Sequence, residues 1–235
     1  MTATLTRSEQ TGSATQPAPP RPSTVLLKVA MAVSGVVLFG FVLIHMIGNL
    51  KIYLGAEAID RYSAWLLDLL YPLLPHEGLL WIMRIALLAA VVVHMAAAVV
   101  LTRRSRRAAG GGRRPRARSF TARTMPVTGI ALALFIVFHV LDLTTGTANP
   151  DFVRGDVYAN VVASFSRWPV ALVYLSAIGL LGSHLLHGLW SAFTTLGATG
   201  PRVRTAAKYV AVGLAGIVVV GNASIPVAVQ LGLIG

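Results

Sequence analysis

Five long apolar segments dominate this 235-residue chain and decide what it can fold into. A helix needs about 20 mostly apolar residues to cross a bilayer. By that measure residues 25–50, 79–101, 125–146, 168–193 and 207–232 read as membrane spans. The composition agrees, since 55% of the residues are hydrophobic and only 12% are charged, too few for a water-soluble domain of this size. The expected fold class is an all-α integral membrane protein with five transmembrane helices and its termini on opposite sides. Residues 1–22, rich in Ser, Thr and Pro and without apolar periodicity, read as a disordered N-terminal extension, and residues 23–235 as the transmembrane domain. A cleaved signal peptide is not expected, because the first apolar segment is long enough to span and no small-residue cleavage site follows a short core.

The net charge of +12 is concentrated in two places. Arg103, Arg104, Arg106, Arg107, Arg113, Arg114, Arg116, Arg118 and Arg123 fall in one Gly-rich connection, and Arg202, Arg204 and Lys208 in a later short one. The positive-inside rule makes both connections cytoplasmic, and Arg21 and Lys28 agree. The N-terminus is then cytoplasmic and the C-terminus outside. The arginines also suit anionic membrane lipids, or an acidic cytoplasmic partner. Nucleic acid is not expected as a partner, because no aromatic residues interleave the run and no binding module surrounds it. Of the outer connections, residues 51–78 are mildly acidic, with a short surface helix expected around 62–70, and residues 147–167 read as an ordinary loop. No internal repeat is evident at this level.

Four of the spans carry one deep histidine each: His45, His94, His139 and His184. At 1.5 Å per residue, His45 lies roughly 10 Å and His139 roughly 6 Å outside the midplane, while His94 and His184 lie roughly 5 Å on the cytoplasmic side. The four sort into an outer pair and an inner pair. A neutral imidazole is the usual protein ligand of haem iron, and the chain has no cysteine for an iron–sulfur cluster or a thioether-linked haem. Two imidazoles at matched depth on facing helices of a four-helix bundle are what a bis-histidine haem requires. The expected cofactors are therefore two non-covalent b haems, His45 with His139 and His94 with His184, within a bundle of the first four spans. A lone histidine in a membrane helix can instead make an interhelical hydrogen bond. His187, three residues after His184, competes with it for the inner position on spacing alone.

The stretch Ser183-His184-Leu185-Leu186-His187-Gly188-Leu189-Trp190-Ser191-Ala192-Phe193, followed by Thr195-Leu196-Gly197, resembles the fourth helix of the cytochrome b membrane anchor of succinate dehydrogenases and fumarate reductases, in their single-chain, five-helix, di-haem branch. Ser34-Gly35, Ile44-His45, Gly55-Ala56-Glu57-Ala58, Arg84 ten residues before His94, and Phe138-His139-Val140 extend the resemblance over about residues 25–230. It implies His184 rather than His187 as ligand, and the same two pairings. It also implies a multi-pass protein of the bacterial inner membrane that anchors a flavoprotein subunit and an iron–sulfur subunit on the cytoplasmic side and exchanges electrons with a quinone, most often menaquinone. The long arginine-rich connection departs from the compact family pattern.

Several polar residues lie in or near the spans. Arg84 in the second span is costly in lipid unless paired, and a haem propionate, Asp142 or an outer-loop acid would compensate it. Lys28 and Ser34 enter the first span near its inner face, within reach of inner propionates. Quinone chemistry needs a proton-exchanging group near a haem edge. His76, Glu77, Glu57 and Arg84 are outer candidates for it, and Lys28 and His187 inner ones. Asn222, Ser224 and Pro226 mark an expected kink in the fifth span. No flavin fingerprint or cluster cysteine is present, so the chain is expected to perform no succinate chemistry itself. The leading reading is an electron-transferring anchor subunit of a succinate:quinone oxidoreductase. The alternative is a haem-free five-helix anchor or transporter whose histidines relay protons.

Overall fold

The structure, a computed structural model, describes residues 22–108 and 120–235. Among the described residues the regular structure is entirely helical: α1 (Thr24–Asn49), a 3-10 turn (Leu50–Leu54), α2 (Ala56–Leu67), α3 (Gly78–Ala108), α4 (Phe120–Leu143), α5 (Val157–Ser166), α6 (Trp168–Thr195) and α7 (Pro201–Gln230). Five of these, α1 with its 3-10 extension, α3, α4, α6 and α7, are long and apolar enough to cross a membrane. Many of their large apolar side chains face outward, Leu134 at 68% and Val220 at 69% exposure among them. Such a surface is tolerable only against lipid. The chain thus has the build of a multi-pass membrane protein. Residues 1–21 of the expected disordered extension lie outside the described residues, as do Arg113, Arg114, Arg116 and Arg118.

The ends of the helices follow local chemistry. Ser23 caps α1, its hydroxyl accepting from the Leu26 amide at 3.1 Å. α3 runs seven residues beyond the apolar segment, because Arg103, Arg104, Arg106, Arg107 and Ala108 are strong helix formers that need no bilayer. Pro201 opens α7 behind Gly200, where a missing amide proton costs nothing. The Arg104 guanidinium donates to Thr24 Oγ1 and to the Pro22 carbonyl, which ties the end of α3 to the start of α1. This end of the molecule, with Arg204 stacked over Trp190 near the close of α6, is the basic end.

The opposite end is covered by two short helices. Gly55, at φ 96°, reverses the chain after the 3-10 turn, in a conformation open to few side chains. α2 then begins six residues earlier than the hydropathy suggests, and Glu57 in its first turn complements the helix dipole. The second short helix corrects the expectation of an ordinary loop over residues 147–167. Asp156 caps α5 by accepting from the Ala159 amide at 2.8 Å, and Asp60 of α2 accepts from the amides of Val157 and Tyr158 at 2.8 and 3.0 Å. Two carboxylates at one helix N-terminus satisfy most of its free donors. Asn160 binds the Val153 backbone through both its amide oxygen and its amide nitrogen, at 2.7 Å each, and so closes the preceding loop.

α1 packs along α3, α4 along α6, and α6 along both α1 and α7. One apolar cluster lies at the covered end, where Ile52, Ile59, Phe165 and Tyr174 meet Ile225 and Val229 of α7. A second joins Leu185 and Leu189 of α6 to Ala211, Ala215 and Val218 of α7. Small residues let these helices approach, as membrane packing requires. A Cβ at Gly221 would collide with Met46, and one at Gly182 would lie 2.5 Å from Val219 Cγ2. In α7 the Asn222 side chain donates to the Val218 carbonyl at 2.8 Å, and the helix continues through Pro226 to Gln230.

Candidate functional site

The four span histidines meet as two pairs. The His45 ring of α1 and the His139 ring of α4 have centroids 5.8 Å apart and stand nearly perpendicular, at 89°. The His94 ring of α3 and the His184 ring of α6 have centroids 6.3 Å apart at 57°. α1 with α4, and α3 with α6, are not among the closely packed helix pairs, so each histidine pair reaches across a gap between helices. All four rings are half-buried.

Hydrogen bonds reach Nδ1 on three of these rings. His94 Nδ1 lies 3.1 Å from the Met31 carbonyl, which can only accept, so the Nδ1 carries the hydrogen. Ser34, 3.2 Å from the same nitrogen, gives its own hydroxyl proton to the Ala30 carbonyl at 2.7 Å. His184 Nδ1 lies 3.1 Å from Thr128 Oγ1, whose proton goes to the Met125 carbonyl at 3.1 Å. His139 Nδ1 lies 3.4 Å from the Tyr174 hydroxyl, which donates to Asp142 Oδ2 at 2.9 Å. With each hydroxyl proton given to these oxygens, the hydroxyl oxygen accepts from Nδ1–H and the Nε2 lone pair stays free. Metal-bound histidines are typically held in this way through their second nitrogen. Among the described residues no hydrogen bond reaches the His45 ring, which stacks on Phe41 at 5.3 Å.

Thr128 drew no expectation from the sequence, although a signal for it exists there. The segment Met31-Ala-Val-Ser34-Gly35-Val-Val-Leu38-Phe-Gly-Phe41-Val-Leu-Ile-His45 matches Met125-Pro-Val-Thr128-Gly129-Ile-Ala-Leu132-Ala-Leu-Phe135-Ile-Val-Phe-His139. Methionine, valine, glycine, leucine, phenylalanine and histidine recur in register, and serine is replaced by threonine. This internal repeat corrects the expectation of none. In both copies the hydroxyl binds a histidine of the next long helix, and the glycine makes room for that ring. A Cβ on Gly35 would lie 3.1 Å from His94 Cε1, and one on Gly129 3.7 Å from His184 Cε1. Eleven residues are about three turns, so hydroxyl and histidine share a helix face roughly 16 Å apart. The two histidine pairs are thereby set about three helical turns apart.

Beside His139 lies a buried polar cluster. Asp142 is fully buried and accepts from Arg167 Nη2 at 2.7 Å, from Tyr174 and from Ser164. Arg167 also donates to the Ala148 carbonyl at 3.0 Å, while its Nε is buried without a partner among the described residues. Asp142 is thus paired with Arg167, and Arg84 finds a different acid, Glu77 at 3.4 Å, with Trp81 beneath its guanidinium at 4.8 Å. Ser34 is buried against His94. Lys28 is exposed and lines a surface pocket with Val25, Val29, Thr194 and Thr195. His76 is exposed, ion-paired with Asp68 and stacked on Tyr71 at 4.5 Å. Glu57 pairs with Arg61 on the surface of α2. His187 is half-buried one turn from His184.

The donor set suits a bis-imidazole iron. Two metal–nitrogen bonds of about 2 Å and two ring radii of about 1 Å put axial imidazole centroids roughly 6 Å apart. The pairs at 5.8 and 6.3 Å lie close to this value. No family model matches the chain, nor does any curated protein or solved structure.

Proposed function

We propose that this chain is the cytochrome b membrane anchor of a succinate:quinone oxidoreductase, holding one b haem between His45 and His139 and a second between His94 and His184. The observation that carries the proposal is the pairing itself: two imidazole pairs in the lipid-facing part of one molecule, each at axial-ligand separation. Bound b haems would supply one-electron relays at two depths of the bilayer. The chain's own residues hold them and keep water away. Ser34, the Met31 carbonyl, Thr128 and Tyr174 fix three imidazoles with Nε2 free. Gly35 and Gly129 leave space beside the inner pair.

The basic end is placed in the cytoplasm by the positive-inside rule, with Arg103, Arg104, Arg106 and Arg107 at the close of α3. The His94–His184 pair then faces the cytoplasmic flavoprotein and iron–sulfur partners, and the His45–His139 pair faces the outside. At the outer end the imidazole of His76 beside Asp68 and the carboxylate of Glu77 are groups that can exchange protons with a quinone, and Arg84 beside Glu77 is a fixed cation. Menaquinone is the quinone that the motif resemblance favours. The chain itself contributes electron transfer and the quinone site, and the succinate chemistry belongs to its partners.

Mild purification of the tagged chain from its native membrane tests this reading. The expected result is a reduced-minus-oxidised spectrum of b type with a flavoprotein and an iron–sulfur protein in the preparation. A colourless chain would overturn the haem reading and leave a haem-free anchor or proton-relaying transporter. A di-haem chain accompanied by a different dehydrogenase would overturn the assignment to succinate.

A further inference from the structure

The two histidine pairs differ in what stands behind them. The inner rings give their Nδ1 protons to neutral oxygens, the Met31 carbonyl with Ser34, and Thr128. His139 alone gives its proton to an oxygen anchored on a carboxylate, through Tyr174 to Asp142. Tyr174 is 5% exposed, and its ring is clamped edge-on by Phe135, Phe138 and Phe165 at 5.0, 5.9 and 4.7 Å. The hydroxyl is therefore held in place between imidazole and carboxylate. Asp142 in turn is held by Ser164 and Arg167, at the mouth of α6. The repeat supplies no counterpart on the other side: Gly48 stands where Asp142 does, three residues after the histidine, and Arg84 stands where Tyr174 does, ten residues before it.

Resting on the haem reading above, we infer that Tyr174 is a positioning residue for His139, which it holds with Nε2 toward His45 and which it makes the strongest electron donor of the four imidazoles. A proton shared toward a carboxylate-anchored oxygen leaves more negative charge on the imidazole ring. A more basic axial ligand stabilises ferric over ferrous iron, so this contact lowers the potential of the outer haem. Its effect is confined to that haem, because His94 and His184 lie about 16 Å away along the helices. At 3.4 Å the contact is at the long end of hydrogen bonding, so losing it tunes the ligand rather than detaching it.

The test is a redox titration of the purified complex carrying Tyr174→Phe, which keeps the ring in its aromatic clamp and deletes only the hydroxyl. The outer haem is identified as the one lost in His139→Ala. The expected result is two haems with the outer midpoint raised and the inner one unmoved. Two unchanged midpoints, or equal movement of both, would overturn the inference. Near-infrared magnetic circular dichroism of the oxidised wild-type complex reads axial-ligand basicity directly and does not depend on any variant folding. Two distinct charge-transfer bands are expected there, and a single coincident band would overturn the inference. A wild-type chain without haem would instead remove the proposed function itself, before any variant is compared.

Discussion

The hydroxyl of Thr128 lies 3.1 Å from Nδ1 of His184 and 3.1 Å from the Met125 carbonyl, which takes its proton when the ring donates from Nδ1. Ser34 and the Met31 carbonyl hold His94 in the equivalent place of the repeat. Thr128→Val keeps the shape of the side chain and removes the acceptor. It leaves a polar N–H in an apolar site, at a cost of about 1–3 kcal/mol, and frees the ring to rotate. Loss of such a partner typically weakens the bound group 10–100-fold. The inner haem of Thr128→Val is predicted to wash out during detergent purification while the outer haem stays, as measured by haem content per chain.

Gly35 gives a steric prediction that is independent of hydrogen bonding. A Cβ there would lie 3.1 Å from His94 Cε1, tighter than most Cβ contacts, so the ring must shift by a few tenths of an ångström even for alanine. Leucine at position 35 fills the place the ring occupies. Gly35→Leu is predicted to lose the inner haem and keep the outer one, whereas Gly129→Ala, with 3.7 Å available, keeps both. Optical spectra of the two purified variants check this.

Asp142, fully buried, and Arg167, half-buried, form an ion pair across the α4–α6 junction. Such a pair adds little net stability over apolar residues, yet breaking it strands a charge. Arg167→Met is predicted to destabilise the chain by about 3–5 kcal/mol, and the double variant Asp142→Leu with Arg167→Met to recover most of that loss. Thermal unfolding in detergent, followed by circular dichroism, measures both.

How much of this was legible in the sequence depends on the range of the interaction involved. The five spans come from composition, because hydropathy is a local sum, while the polar ends that α3 and α7 add, seven and six residues long, do not. Matching His45 to His139 and His94 to His184 needs only depth, and these are the rings the structure sets side by side. α5 was missed although Asp156 is a recognisable cap, since the segment is short and its second cap, Asp60, lies 97 residues away from Val157. Arg167 read as a loop residue because nothing local ties it to Asp142, 25 residues earlier. The depth of Ser34 is legible in the sequence, and its contact with His94 is not. The repeat from Met31 to His45 was legible in principle, and it would have pointed to Thr128 from Ser34.

His184 and His187 share one helix three residues apart, and only His184 faces His94 and bonds Thr128. His184→Ala is predicted to abolish the inner haem and His187→Ala to retain it. Haem retained in the first variant and lost in the second would reverse the roles and break the proposed inner pair.

The central claim, two bis-histidine b haems on one chain, is tested most directly by a pyridine haemochrome assay on purified protein of known concentration, before and after extraction with acid acetone. The account predicts two haems of b type per chain, all of them extractable, because the chain has no cysteine to form a thioether. A ratio of one would leave one histidine pair without its role, and a ratio of zero would contradict the account outright.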